Sequence, residues 1–465
     1  MQKKEEMEEE RNCVRAHVVM LPFPVQGHIK PMLNFSINLA CKGVKVTLAT
    51  PLFITKTVEV KDSKVVSESY SDGCDEGGIA EAGSLDAYMD SFKDVGTKNI
   101  SKLIERHEHS TYPVRCLIYS AVLPFLLDIA KRHDLIGASF YTQSCTVNAI
   151  YFHAHQGTLI TPVQQQTVSL PGLPLLRTQE LPSFVLDKET DSSLLQIVLD
   201  QFSNVDKTDF LLFNTFDMLE DQVVNWMAEK WPEKMITIGP AVPSFYINNG
   251  VEDGTHNLRN LINADLSSSI KWLNTKETGS VVYVSFGTLA RLGENQIEEL
   301  AWGLKRSNKH FLWVVRDSEE HKLPIKFKDE MSEKGLVVSW CPQWEVLAHQ
   351  ALGCFVTHCG WNSTIEALSL GVPMVAIPQW IDQPTNAKFI EDVWRVGVRA
   401  KVDEKGIVIS EEIENCIWDV MHGDRWEEIK RNAIRWKKLA MEAVGEGGSS
   451  DKNIDTFISR LVCTR

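Results

Sequence analysis

The sequence lacks most of the short signatures that announce a ligand. No GxGxxG follows an apolar run, and no GxxxxGK[ST] occurs, so the two commonest glycine-rich phosphate cradles are absent. There is no DxD pair to hold a divalent metal on a diphosphate, and the ten cysteines contain no CxxC. Their scatter, several inside apolar strands, reads as reduced, buried small hydrophobes rather than a disulfide frame. Positive charge is scarce too: 48 lysines and arginines stand against 62 aspartates and glutamates, a net charge of -14. That balance excludes a nucleic-acid partner, which would need a basic surplus. The longest apolar stretch, CLIYSAVLPFLL, is broken by Ser120 and Pro124 and stops at Asp128, short of the ~20 residues of a membrane span. The start, MQKKEEMEEERNC, is charged where a secretory signal has an apolar centre. A cytoplasmic chain with neither span nor anchor is expected.

What is present is a soluble globular composition, 43% hydrophobic and 24% charged, over 465 residues, too long for one core. From His17 the run HVVMLPFP reads as a strand, VQGH as a turn, IKPMLNFSINLACKG as a helix and GVKVTLATP as a second strand, a βαβ opening. VRCLIYSAV, LPFLLDIAKRHDL and GASFYTQS repeat the pattern, and DFLLFNTF and MITIGPAV add strands. Residues 65–98 and 157–186, rich in Gly, Ser, Pro, Gln and acids, read as long surface loops. A second alternation begins near SVVYVSFGT and runs through HFLWVVR, GLVVSW, GCFVTH and VPMVAIP. The expected fold is α/β, with two Rossmann-like, doubly wound parallel-sheet domains facing a cleft. The expected boundaries are an N-terminal domain over 1–242 with residues 1–15 a disordered tail, a linker at 243–265, and a C-terminal domain at 266–445. A final helix at 446–465 is expected to pack back toward the N-terminal domain.

The chemistry concentrates in GCFVTHCGWNSTIE, residues 353–366, where an apolar strand stops at His358, Cys359, Gly360, Trp361, Asn362 and Ser363. Ser363 and Glu366 alone fit a capping box. A cap does not account for the glycine, imidazole, indole and amide gathered between a strand's carboxyl end and a helix's free N–H groups, a place that binds anions. From Trp340 to Gln383 the chain reads WCPQWEVLAHQALGCFVTHCGWNSTIEALSLGVPMVAIPQWIDQ. This resembles, without a gap, the 44-residue sugar-donor box of plant family 1 UDP-glycosyltransferases. FPVQGHIKPML, FYTQSC, VSFGT and GGSSDKNI extend the resemblance over almost the whole chain. It is nearest to the subgroup acting on small acids, phenols, and triterpenoid or steroid alcohols.

The resemblance implies the GT-B form of the two-domain fold, UDP-glucose as co-substrate, no cofactor and no metal, and a monomer. It implies that Trp340 stacks on uracil, Cys341 meets the uracil edge through its backbone, and Gln343 and Glu366 hold the ribose. His358, Asn362, Ser363, Ser285 and Thr288 would surround the diphosphate, with Gly360 allowing close backbone approach. Trp361, Asp382, Gln383 and Thr142 would bind the hexose, and Gln383 is the residue associated with glucose. The residues leave other readings open: Trp340, Trp344 and Trp380 as interior side chains, Asp382 as a helix cap, Cys359 as a thiol nucleophile. The turn after VVYVSF is expected to put Thr288 near a second helix start.

On the acceptor side, His28 follows Gly27 at the first turn, where a histidine is either structural or, as the resemblance implies, the general base. A helix start would lower its pKa and keep it neutral. The family pairs this histidine with an aspartate at a nearby strand end, and here Ser120 stands in that place, in CLIYSAVLPF. Either His28 with Ser120 suffices, or another group supplies the charge through water, or the acceptor is an ionised carboxylate that needs no base. Phe23, Leu123, Phe125 and Phe140 are expected as walls of an apolar pocket for a lipophilic acceptor. The leading expectation is an inverting glucosyltransferase. A sugar-nucleotide-binding protein with weak or no transfer, because of Ser120, is the alternative; an NAD-dependent oxidoreductase is disfavoured by the missing GxGxxG.

Overall fold

The computed structural model describes residues 16–55, 64–186, 192–243 and 268–463. Two parallel sheets organise it. The first is built from β1 (Ala16–Leu21), β2 (Val44–Pro51), β3 (Val65–Tyr70), β4 (Val114–Ser120), β5 (Ile136–Tyr141), β8 (Phe210–Phe213) and β9 (Met235–Thr237), in the order β3-β2-β1-β4-β5-β8-β9. A short antiparallel pair, β6 (Thr167–Val168) with β7 (Leu176–Arg177), stands apart from it. The second holds β10 (Val281–Ser285), β11 (His310–Val314), β12 (Gly335–Val338), β13 (Leu352–Thr357), β14 (Met374–Ala376) and β15 (Gly397–Arg399), in the order β12-β11-β10-β13-β14-β15.

Each sheet reverses its winding once, between β1 and β4 and between β10 and β13. At such a switch the connections leave to opposite sides, so a crevice opens beyond the strands' carboxyl ends. Both faces of each sheet are covered, which is why strands such as HVVML and VVYVS are apolar without alternation. This is the GT-B arrangement. Among the described residues no helix is long and apolar enough to cross a membrane.

The helix Ser449–Cys463 lies against the first sheet. Phe457 packs edge-on to Phe210 at 5.0 Å, Ser450 Oγ donates to the Gly239 carbonyl at 2.6 Å, and Asn453 Nδ2 donates to the Thr237 carbonyl at 3.0 Å. Lys42 pairs with Asp451 and Asp455 on the same helix. The linker expected at 243–265 lies, apart from Pro243, outside the described residues, as does the expected tail at 1–15.

The loop expected at 65–98 is corrected. Val65–Tyr70 is an edge strand paired with β2, and helix Leu85–Ser91 follows, with Ser84 Oγ accepting from the Ala87 N–H. Leu85, Tyr88, Met89 and Phe92 fall at helical spacing and carry the packing; Tyr88 and Phe92 are fully buried. Acids and glycines around that stripe masked it. The segment 157–186 contains the β6–β7 pair and two 3-10 turns, Thr178–Glu180 and Ser183–Val185.

Candidate active site

The stretch quoted above does form a strand, a sharp turn and a helix. β13 delivers His358, Cys359 adopts a left-handed backbone (φ 66°), and the helix Trp361–Leu370 starts at once with Gly360 as its N-cap. A left-handed non-glycine residue costs energy, and the surroundings hold it: Cys359 N–H donates to Thr357 Oγ1 at 3.1 Å, and Asn386 Nδ2 donates to the Cys359 carbonyl at 2.9 Å. The thiol is fully buried and burial raises its pKa well above the usual range, so it is no nucleophile. The capping box is not formed: Ser363 lies inside the helix, and both its hydroxyl and Glu366 are turned to Gln343 instead.

Gln343 organises that corner. Its Nε2 donates to Ser363 Oγ at 3.1 Å and to Glu366 Oε2 at 2.7 Å, while its Oε1 accepts from the Tyr283 hydroxyl at 3.1 Å. Beside it Cys341 is buried, its thiol pushed up to about 11. Trp340, just past β12, is 64% exposed, an indole plate open to solvent rather than an interior residue. Trp344 and Trp380, also readable as interior, are both partly exposed.

His358 sits between two glycines. Burial lowers its pKa to about 4, and its Nδ1 is buried with no hydrogen-bond partner among the described residues. A Cβ at Gly360 would come within 2.5 Å of its Nε2, and one at Gly287 (φ +69°) within 2.8 Å. On the assignment of this turn to a diphosphate that the resemblance implies, Gly360→Ala is expected to displace the imidazole and raise the Km for that ligand about tenfold, since a misplaced hydrogen bond to a charged group costs about 1.5–3 kcal/mol. Steady-state kinetics with varied donor checks this, and an unchanged Km would show that the imidazole is not needed there.

Asp382 Oδ2 accepts from the Trp361 N–H at 3.2 Å and from Asn386 Nδ2 at 2.7 Å, and burial pushes its carboxyl up to about 6. It precedes the helix Gln383–Lys388 but makes no side-chain cap to it. Gln383 Oε1 accepts from the N–H groups of Gln379 and Trp380 at 2.9 and 3.1 Å. Ser285 ends β10, close to this turn in the neighbouring strand, where it pairs with Thr357. Thr288 is exposed in a turn, and the next helix starts only at Glu294, so the second helix mouth expected at Thr288 is not there.

Across the cleft, His28 lies in the first turn of the helix Gln26–Cys41, not in a turn before it. Its Nδ1 is 2.6 Å from Ser120 Oγ at the end of β4, and Thr142 Oγ1, just past β5, is 3.5 Å from both ring nitrogens. Its pKa is lowered to about 4, and the cause is burial rather than the helix start. Phe23 packs edge-on to the ring at 5.6 Å. The two halves touch beside it: Asn362 Nδ2 donates to the Gly27 carbonyl at 2.8 Å, Lys30 Nζ meets Glu366 Oε1 at 2.8 Å, and Trp361 Nε1 donates to the Asn214 carbonyl at 2.8 Å.

A buried imidazole of the first half thus stands beside the strand–turn–helix of the second, and the family comparisons match both halves. The family model described as "UDP-glucoronosyl and UDP-glucosyl transferase" matches residues 256–442, and "Glycosyltransferase, N-terminal domain" matches residues 15–67. Mogroside I-E synthase of Siraitia grosvenorii is 45% identical over 448 residues, covering 96% of this chain and 98% of that protein. UDP-glycosyltransferase 74E2 of Arabidopsis thaliana is 46% identical over 454 residues, covering 96% and 98%. The chain belongs to the plant family 1 UDP-glycosyltransferases. The crystal structure of Os79 from O. sativa in complex with UDP superposes on this glycosyltransferase with a TM-score of 0.88 at 37% identity, covering 96% of this chain and 100% of that one.

Two expectations for this glycosyltransferase change. The Trp361 indole cannot reach a hexose: it is buried in the core and its N–H is taken by Asn214, so only its backbone borders the turn. Phe140 cannot wall an open pocket either. It is fully buried against Phe35 at 5.7 Å, beneath the helix that carries His28 and in register with Ser120, whereas Leu123, equally buried, packs in one cluster with Phe23 and the partly exposed Phe125 on the other face. Sequence reasoning also missed Glu220. Its buried carboxylate accepts from the N–H groups of Cys145 and Thr146 at 3.0 and 2.8 Å, fixing the helix Cys145–His155 and so the loop that carries Thr142. Glu220 is one of three acids in the six residues FDMLED, and nothing in the sequence sets it apart from Asp217 and Asp221.

Proposed function

We propose that the protein is an inverting, metal-independent UDP-glucose glucosyltransferase acting on a hydroxyl of a lipophilic plant small molecule, with His28 as general base. The observation that carries this reading is the 2.6 Å contact between His28 Nδ1 and Ser120 Oγ, made by a ring whose pKa burial lowers to about 4. With Nδ1–H donating to Ser120, the Nε2 lone pair is left to take the acceptor's proton, and the ring is neutral at working pH. As the O–H proton passes to Nε2, the acceptor oxygen attacks the anomeric carbon from one face. The bond from that carbon to the β-phosphate oxygen breaks on the other, releasing UDP and turning an α-donor into a β-glucoside.

In this reading Trp340 stacks on uracil and Cys341 meets its edge through the backbone, Gln343 and Glu366 hold the ribose, and Ser285, Thr288, His358, Asn362 and Ser363 meet the diphosphate. Gly360 keeps room for the approach, while Asp382, Gln383 and Thr142 address the hexose. Phe23, Leu123 and Phe125 back the acceptor side. The Os79 complexes with UDP and with U2F and trichothecene, and the Phytolacca americana UGT2 complex with UDP-2fluoro-glucose and pterostilbene, support a uridine nucleotide and a small acceptor as the ligands. Amides, hydroxyls and an imidazole suffice for the phosphates, and among the described residues no group of three His, Cys, Asp or Glu side chains could ligate a metal. Both halves of the site come from one chain, so it is complete without a second subunit; a cytoplasmic monomer is part of the proposal.

Mass spectrometry of products from UDP-glucose and a panel of lipophilic alcohols and acids, with and without EDTA, tests this. A product one hexose heavier in both arms is expected. Nucleotide binding without product would select the binding-protein alternative, and loss of product with EDTA would remove metal independence.

Ser120 replaces a charged partner by a neutral one, and a hydroxyl orients the ring without stabilising the imidazolium. Ser120→Asp is expected to retain or raise alcohol glucosylation, by up to about tenfold, and to raise the His28 pKa. The sign follows: the base works only when unprotonated, so the acid limb of kcat/Km should lie near pH 4 in the native protein and shift upward in the variant. A pH profile that does not move would disconnect residue 120 from the base.

A further inference from the structure

Lys30 sits on the acceptor-side helix Gln26–Cys41, yet its ammonium is lodged in the donor half. Its Nζ is 2.8 Å from Glu366 Oε1 and 4.2 Å from the centroid of the Trp344 ring, so an ion pair and a cation–π contact fix one charge from two directions. The Glu366 side chain is 5% exposed and that of Lys30 34%. Gln343 takes the other oxygen of Glu366 at 2.7 Å, so both carboxylate oxygens have assigned partners and the group cannot rotate freely. Gly27, three residues earlier on the same helical face, accepts from Asn362. One turn of the acceptor-side helix is thereby clipped at two points to the donor helix.

A carboxylate offers about four lone-pair positions, so two remain on Glu366 once Lys30 and Gln343 are satisfied. We propose that Lys30 is a donor-positioning residue that holds the Glu366 carboxylate in the orientation in which its remaining lone pairs accept the ribose 2′- and 3′-hydroxyls of a uridine nucleotide. The inference rests on the assignment of Glu366 to the ribose. It adds that ribose recognition is completed by a cation reached across the cleft, so nucleotide binding and the approach of the two halves favour each other.

The test is calorimetric titration of UDP and of 2′,3′-dideoxy-UDP into the native protein, Lys30→Met, Lys30→Arg, Glu366→Gln and the Lys30→Met/Glu366→Gln double variant. Lys30→Met is expected to weaken UDP about tenfold, the scale of one hydrogen bond to a charged group, and dideoxy-UDP less than twofold. Lys30→Arg should recover most of the loss, which separates a charge effect from misfolding. In the Glu366→Gln background, removing Lys30 should cost nothing further. With UDP-glucose the Km should rise by the same factor while kcat moves less than twofold. Equal losses for the two nucleotides would assign Lys30 to the phosphates, and tighter UDP binding by Lys30→Met would make it an occupant of the ribose's place; either overturns the proposal, as does no change. If the native protein itself fails to distinguish UDP from its dideoxy form, the ribose assignment falls first and the inference with it.

Discussion

His28→Ala should lower kcat on an alcohol acceptor by about 10²–10⁴, the range for loss of a positioned general base, with little change in affinity for UDP. The asymmetry follows from where the ring is anchored. Its partners are Ser120, Thr142 and Phe23, all from the first sheet's side, whereas Gln343, Ser363 and Glu366 are organised by the second. A neutral alcohol is a weak nucleophile until its proton begins to leave, and in the proposed mechanism Nε2 of the buried imidazole takes it. Single-turnover rates on an alcohol, with UDP affinity measured in parallel, decide the matter. Full activity of His28→Ala on alcohols would end the base assignment. Retained activity confined to carboxylic acids, already ionised at neutral pH, would instead show that the native acceptor needs no base.

Glu366→Ala should weaken UDP by about 10²–10⁴-fold while leaving the chemical step of any donor that does bind nearly intact. Hydrogen bonds to a charged acceptor are worth about 1.5–3 kcal/mol each, and a vicinal diol can make two. The variant also strips Gln343 and Lys30 of their shared acceptor, so the measured loss includes the disorganisation of that corner. Glu366→Gln separates the two contributions, because it keeps an oxygen for Gln343 while removing the charge. Calorimetry with UDP gives the affinities, and a loss below about threefold for Glu366→Ala would remove the residue from the nucleotide site.

Both sheets were legible in the sequence because their strands are buried on two faces, leaving unbroken runs such as VVYVS and HVVML that only a covered parallel sheet tolerates. The turn at His358 to Ser363 was legible for the opposite reason: polar groups and a glycine are concentrated where an apolar run ends. Several of the misses needed two distant segments at once, although the pairing of His28 with Ser120, 92 residues apart, was read from the resemblance. Trp361 reads as a ligand-facing indole until Asn214, 147 residues away, is seen to take its N–H. Phe140 and Leu123 are equally apolar in sequence, and only the alternation of faces along β5 and the loop after β4 sends them to different clusters. Ser363 and Glu366 fit a local capping rule, but Gln343 and Lys30 outcompete the helix's own backbone for them. The low pKa of His28 was expected from the helix start, whereas burial is the larger influence because desolvation acts on the whole ring.

The helix that closes the underside of the first sheet through Phe457, Ser450 and Asn453 has a bearing on how the molecule comes into being. Its partners Phe210, Thr237 and Gly239 leave the ribosome more than 200 residues ahead of it, which at roughly 5–20 residues per second is a delay of about 10–40 seconds. Throughout that interval the nascent first half carries an unsealed greasy seam. Chaperone occupancy during translation should therefore concentrate on that seam, and it should lapse only once the late helix has emerged.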